Sequence, residues 1–259
     1  MPDPLGNISF VWQYYLVFAT GYFLGSIPFG FLLTKMLGHG DIRNVGSGNI
    51  GATNVLRTGN KKLALLTLTL DLLKGFLPAI AINYFLYIDY TLIICTGAVV
   101  GHMMPIWLIN HKVDKFFLSF KDLILMILGL ILLLHGKDYI SIIGVIIFVL
   151  SVTHAWGGKG VATSIGVLLA LNPILGLFSI AIWLIVLRLT KISSVSALVT
   201  FLVIPFFALL LNTIELKKYY IDTQLLEFST FLSIIVIIRH FDNIKRIVSG
   251  KEAKIGKNG

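Results

Sequence analysis

Long apolar runs separated by short islands of glycine, amide and charged residues make up this chain. A helix that crosses about 30 Å of hydrocarbon needs about 20 mostly apolar residues, each adding about 1.5 Å. Runs of that order extend over Val11 to Leu33, Leu63 to Tyr87, Tyr90 to Ile109, Pro173 to Leu189, Val195 to Leu211 and Leu225 to Ile238. Three shorter runs, Leu123 to Leu134, Tyr139 to Val152 and Val161 to Leu171, bring the candidate crossings to nine. Asn172 and Pro173 close the last of these and predict a break between antiparallel spans. The expected fold is all-α: a polytopic transmembrane helical bundle forming a single integral membrane domain over residues 1–259, with no internal repeat and no soluble second domain.

Composition moves the picture in the same direction. Of the 259 residues 57% are hydrophobic and only 13% charged, with a mean hydropathy of +0.91. A soluble chain of this length must cover its surface with polar groups, so one buried core does not explain such values. The net charge of +9 forms no face or arm of the kind that binds nucleic acid. Basic residues instead flank the apolar runs, where they set topology and meet anionic lipid. With the N-terminus outside, the inside segments 34–62, 110–122, 154–160, 188–194 and 239–259 hold 17 of the 21 Lys and Arg residues. Outside segments hold Lys137, Lys217 and Lys218, and Lys74 falls within a span. This bias predicts an N-out, C-in orientation that places every glycine-rich island on the cytoplasmic side. Met1 to Phe10 contains no Lys or Arg, so the first run reads as a retained helix and not a secretory signal. The single cysteine, Cys95, lies in an apolar run and allows neither an intrachain disulfide nor a cysteine-based metal site.

Candidate chemistry is confined to the islands. The first, Asp41 to Lys62, combines Gly46, Gly48, Gly51 and Gly59 with Ser47, Asn49, Thr53, Asn54, Arg43 and Arg57. Glycines let successive N–H groups turn into one concavity that holds phosphate oxygens, and an arginine adds a bidentate fork; the competing reading is a solvated loop with topology-setting charges. The second island, His154 to Ser164, sets Gly157, Gly158 and Gly160 around Lys159 ahead of an apolar helix, either an anion site at a helix N-terminus or a capping turn. It lacks the GxxxxGK[ST] spacing, so nucleotide hydrolysis is not supported. In the third island, Arg239 to Glu252, His240 and Asn243 share one helical face beside Arg246, and such a histidine acts as a base or as a structural hydrogen bonder. Asp71 and Lys74, inside the second span, are expected to pair because a lone charge there is costly. His102, within Gly101 to Pro105, either lies near the site or ends a helix. Ser193, Ser194 and Ser196 open a span that they cap or from which they donate to a ligand. No Cys/His cluster, paired carboxylates or soluble-type His–Asp acyltransferase signature is present, which disfavours zinc hydrolases, glycosidases and that acyltransferase dyad.

Taken in order, GSIPFG (25–30), SGNIGATNVLR (47–57), LDLLKG (70–75), GHMMP (101–105), GGKGVAT (157–163) and HFDNIKRIVSGKE (240–252) resemble the PlsY family over nearly the whole chain. The resemblance implies an acyltransferase of the bacterial plasma (inner) membrane with its active site at the cytoplasmic face. It would move the acyl group of acyl phosphate to the 1-hydroxyl of sn-glycerol 3-phosphate, giving lysophosphatidic acid and phosphate in phospholipid biosynthesis. Its partners would be these small-molecule substrates and the lipid bilayer, with no metal, no CoA or other cofactor, no nucleic acid, and a monomeric chain. Matched motif by motif, Ser47 and Arg57 correspond to the family's essential serine and arginine, and Asn49 to its site asparagine. Lys159 with Gly157, Gly158 and Gly160 corresponds to its phosphate-binding loop. His240 and Asn243 match the last motif, Glu252 its structural glutamate and Ser194 a site serine. The expected catalytic set is Ser47, Arg57, Lys159, His240 and Asn243, with Gly46, Gly48 and Asn54 joining the substrate-binding residues.

One departure is large. Family members pass from GHxxP to GGKG through a short connection, whereas 54 residues lie between His102 and Gly157 here. Two apolar runs fill this stretch, and an even number of crossings returns Gly157 to the cytoplasmic side. An inserted helical hairpin at about 118–153, turning at His135 to Asp138, is therefore expected in addition to the family's seven helices. The rival function is a membrane transporter for an anionic phosphorylated metabolite, since broken helices also build ligand sites. Ligand-type motifs gathered at one membrane face weigh against it.

Overall fold

The computed structural model describes residues 8–108, 113–135, 139–153, 155–213 and 223–255, with no strand among the described residues. The first apolar run, expected as one unbroken helix, forms α1 (Ile8–Gly25) and α2 (Phe29–Met36), opened at residues 26–28. Pro28 has no N–H for the ladder and drives Ile27 out of helical geometry. Residues 37–60 hold a tight turn at Ile42–Asn44, the single-turn helix α3 (Ala52–Val55) and a second tight turn at Leu56–Thr58.

α4 (Lys61–Phe85) begins where the Asn60 side chain accepts the Leu63 N–H at 3.0 Å. Within it Asp71 and Lys74 pair at 2.9 Å, as expected. Lys74 Nζ also donates to the Ile27 carbonyl at 2.9 Å. The break after α1 therefore has a donor, and the buried ammonium has two partners. α5 (Ile88–Met103) runs along α1; just past its end the Met104 carbonyl accepts the Tyr22 hydroxyl at 2.8 Å.

The long segment between GHMMP and GGKG forms α6 (Val113–His135) and α7 (Tyr139–Thr153), packed along one another. The first of these starts earlier than the expected boundary near 118, and the centre of the expected turn, 136–138, lies outside the described residues. At Gly129 a Cβ would come within 2.6 Å of the Phe148 backbone nitrogen, which marks how closely the two helices approach.

Five further helices follow among the described residues: α8 (Val161–Leu171), α9 (Pro173–Thr190), α10 (Ser193–Thr213), α11 (Thr223–Arg239) and α12 (Phe241–Val248). Asn172 caps α9 by accepting the Leu175 N–H at 3.0 Å, and Pro173 occupies the first helical position, where its missing N–H is harmless. Eleven residues make α8 about 16 Å long, about half the hydrocarbon thickness. α8 lies between α4 and α9. It meets α4 backbone to backbone: a Cβ on Gly75 would fall 2.3 Å from the Thr163 carbonyl oxygen, and one on Gly166 2.1 Å from that of Leu72.

Against nine expected crossings, five stretches among the described residues, the first of them α1 joined with α2, have the length and hydropathy of a span, and α11 with α12 makes a sixth candidate bent by 57°. α8 and the apolar part of α7 are shorter. Phe18, Ile94, Met103, Phe201, Leu232 and Ile235 belong to the buried core, while Leu77, Leu184, Leu202 and Phe206 stand exposed on the outside of the bundle. An exposed apolar shell around a helical core is what lipid solvation requires.

Candidate active site

Asn54 organises the first island. It is 2% exposed, and its Nδ2 donates to the carbonyls of Ile42 (3.0 Å), Val45 (2.9 Å) and Asn49 (2.8 Å). Its Oδ1 accepts the Ser47 N–H at 3.1 Å and the Ser47 hydroxyl at 3.3 Å. The amide expected to bind substrate is thus engaged in holding the loop. Gly46 (φ +54°) and Gly48 (φ +69°) take left-handed backbone that other residues resist. At Gly46 a Cβ would also lie 2.4 Å from Arg57 Nη1, so the guanidinium rests across this glycine. The Gly48 N–H is used by the Val45 carbonyl at 3.0 Å. Arg43 turns away to pair with Asp41 at 2.6 Å.

The second island is fastened to the end of α5. The N–H groups of Gly157 and Gly158, read from sequence as phosphate donors, instead donate to the carbonyls of Met103 (2.8 Å) and His102 (3.0 Å). Trp156 Nε1 donates to the Pro105 carbonyl at 2.9 Å and the Thr163 hydroxyl to the Asp71 carbonyl at 2.9 Å. Gly157 and Gly158 serve close approach, since a Cβ on Gly158 would sit 1.8 Å from His102 Nε2. Gly160 (φ +81°) then turns the chain into α8. The first N–H groups of that helix have no intrahelical acceptor, and Val161 and Ala162 lie on the cavity wall.

The third island closes the arrangement. Lys159 Nζ donates to Asn243 Oδ1 on α12, whose Nδ2 donates in turn to Glu252 Oε1. Glu252 also accepts from Ser194 Oγ and from Arg246 Nε, both at 2.7 Å. Burial alone would raise the Glu252 pKa, but these donors hold the carboxyl below its usual range. Thr53 and Ser193 hydroxyls meet at 2.9 Å, so the first turn of α10 joins the first island through Ser193 and the third through Ser194. Beyond Glu252, the Ile255 N–H donates to the Lys191 carbonyl at 2.7 Å and straps the segment across the turn between α9 and α10.

His240, the residue between α11 and α12, is 2% exposed, and its Nδ1 lies 2.7 Å from the Val236 carbonyl. A carbonyl accepts only, so Nδ1 carries the proton and Nε2 is left as an acceptor. Burial pushes the Lys159 ammonium down to about 8, with Glu252 opposing and Arg246, Arg239 and Arg57 adding to the fall.

These groups share one cavity of about 330 Å³. Ser47, Asn49, Asn54, Arg57, Lys159, Gly160, Ser194, His240 and Asn243 line it; Gly46, Gly48, Gly157 and Gly158 stand behind the wall. Leu68 and Leu72 of α4, Ile165 of α8, and Ile180, Trp183 and Leu184 of α9 also line it. The cavity lining therefore combines cationic and amide groups with apolar side chains from three helices. A family model described as glycerol-3-phosphate acyltransferase matches residues 15–115 and 120–250.

The chain belongs to the glycerol-3-phosphate acyltransferase family. One family member, a glycerol-3-phosphate acyltransferase of Rhizobium etli, is 38% identical over 239 residues, covering 92% of this chain and 90% of its own length. Another, from Sinorhizobium fredii, is 40% identical over 244 residues, covering 94% and 93%. A crystal structure of PlsY, an integral membrane glycerol 3-phosphate acyltransferase, in its glycerol 3-phosphate form superposes with a TM-score of 0.68 at 29% identity, over 94% of this chain and 96% of that one. The lysophosphatidic acid form gives 0.66 at 28%, over 94% and 95%.

Two further residues of the cavity were weakly marked in the sequence. Asp71 and His102 reach the cavity wall, although the sequence pointed to the first only as an ion-pair partner and left the second open. The Thr53–Ser193 contact had no signal beyond a hydroxyl at each end.

Proposed function

We propose that this chain transfers the acyl group of acyl phosphate to the 1-hydroxyl of sn-glycerol 3-phosphate, releasing 1-acyl-sn-glycerol 3-phosphate and phosphate. The observation that carries the reading is the meeting of Arg57, Lys159 and His240 in one cavity that apolar side chains of α4, α8 and α9 also line. Acyl phosphate is a mixed anhydride with an activated carbonyl, so the protein has chiefly to align two phosphorylated substrates and offset their repulsion. Arg57, Lys159 and the opening N–H groups of α8 hold the phosphates. Asn243, itself held by Glu252, fixes the lysine. The acyl chain lies along Leu68, Leu72, Ile180 and Leu184 and continues into lipid.

In the transfer step the 1-hydroxyl oxygen bonds to the acyl carbon, and the bond from that carbon to the phosphate oxygen breaks. His240 Nε2 accepts the attacking hydroxyl and directs it. His240 acts there as a positioning group, and the hydroxyl proton passes to the departing phosphate. Ser47 bonds to the Asn54 amide and not to an imidazole, which argues against a covalent acyl-serine. Ser47 and Asn49 orient substrate oxygens, while Asn54, Gly46, Gly48, Gly157 and Gly158 shape the loops.

The charge bias supports an N-out, C-in orientation with the site at the cytoplasmic face of the bacterial inner membrane. The chain acts as a monomer, and α6 and α7 are the inserted hairpin. Purified protein in detergent, supplied with acyl phosphate and glycerol 3-phosphate, should release phosphate and lysophosphatidic acid in equal amounts. Failure of a folded preparation to do so would return the transporter reading to first place.

A further inference from the structure

Asp71 and His102 line the same cavity as the transfer groups, and the mechanism above uses neither. They are 3% and 4% exposed. Asp71 Oδ1 pairs with Lys74 Nζ at 2.9 Å and lies 3.5 Å from His102 Nδ1. The second separation is within reach of an ion pair but outside hydrogen-bond geometry, and His102 Nδ1 has no hydrogen-bond partner. At the other end of the ring, Nε2 lies against the α-carbon of Gly158, the residue before Lys159.

Support of the loop does not call for this side chain. The His102 contribution to the loop is its backbone carbonyl, which any residue provides. An apolar ring at this position would avoid a buried nitrogen without a partner. An imidazole with a carboxylate behind Nδ1 has its proton drawn to that nitrogen, which leaves Nε2 as an acceptor. An acceptor on the cavity wall, packed on the residue that precedes the phosphate-holding lysine, suits a hydroxyl one carbon from the phosphate-bearing carbon. Glycerol 3-phosphate carries such a hydroxyl on C2, and its reacting 1-hydroxyl is already assigned to His240.

We propose that His102, oriented by Asp71, recognises the 2-hydroxyl of the acceptor and thereby selects glycerol 3-phosphate over simpler hydroxyalkyl phosphates. This assignment rests on the acyl-transfer reading. The test compares kcat/KM for glycerol 3-phosphate with that for 3-hydroxypropyl phosphate, which keeps the reacting hydroxyl and the phosphate but lacks the 2-hydroxyl. The wild type should prefer glycerol 3-phosphate, and His102→Leu should reduce the preference about tenfold or more by slowing the natural acceptor selectively. His102→Gln, which places an amide oxygen near the position of Nε2, should keep part of it. Should His102→Leu fail to fold, Asp71→Asn decides: its preference should fall as well. A variant slowed equally on both acceptors, or a wild type that takes both equally well, overturns the proposal. Wild-type turnover of glycerol 3-phosphate alone separately tests the acyl-transfer reading.

Discussion

Lys159 Nζ donates to Asn243 Oδ1, a hydrogen bond between residues 84 apart in the chain. It makes the glycine loop and the last helix parts of one machine, since the amide that receives the ammonium is itself held by Glu252. Replacing Asn243 with Leu should lower kcat/KM by about 100-fold, because a buried lysine and a carboxylate each lose a partner. Steady-state assays of the folded variant check this. A fall of less than a few-fold would separate the lysine's placement from α12.

Burial holds the Lys159 pKa near 8, below its ordinary value, so the charge that attracts phosphate is present at neutral pH and lost as pH rises through 8. The KM for glycerol 3-phosphate should rise about tenfold between pH 7 and pH 9, as the protonated fraction falls. Lys159→Met should have a high KM with little dependence over that range. An equal rise in both proteins would point to another group.

Gly46 and Gly59 both have positive φ, but only Gly46 has a neighbour in the space a Cβ would enter. Gly59→Ala should cost about 1 kcal/mol of stability and leave activity nearly intact. Gly46→Ala should cost activity about 100-fold by displacing Arg57. Kinetics together with thermal unfolding in the same detergent distinguish backbone strain from a misplaced guanidinium.

Glu252 gathers Ser194, Asn243 and Arg246. Glu252→Ala should destabilise the protein by on the order of 3 kcal/mol, since donors to a charged group are left facing one another. Glu252→Gln, which keeps two polar ends, should recover part of the loss. Unfolding midpoints of the two variants check the order.

Orientation has its own test. Cys95 is fully buried, so a cysteine introduced by Lys254→Cys is the reactive thiol. An impermeant maleimide should label it in inverted vesicles and not in intact spheroplasts. The reverse pattern would invert the assigned topology.

The spans were legible because hydrocarbon enforces long apolar runs, and α4, α9 and α10 fall close to their expected limits. Island residues were legible as chemistry, but not in what their atoms do. Glycines at 157 and 158 looked like donors to an anion, yet their N–H groups meet carbonyls at the end of α5. Sequence shows which residues lack side chains and is silent on which backbone lies opposite. Asn54 looked equally available until its contacts showed that a buried amide holds the loop. The opening after α1 was not read from the sequence, although Pro28 stands at it, and its partner, Lys74, sits on another helix, at a separation no local pattern reports.

The Glu252 hub also bears on how the enzyme comes into being. Ser47, Arg57 and Lys159 leave the ribosome long before the segment that fixes the lysine. A nascent chain already inserted through α10 would contain both glycine loops and still lack the support for its central cation. Activity should therefore begin late in biogenesis, when the final segment docks, so that half-built copies in the membrane do not consume reactive acyl donor.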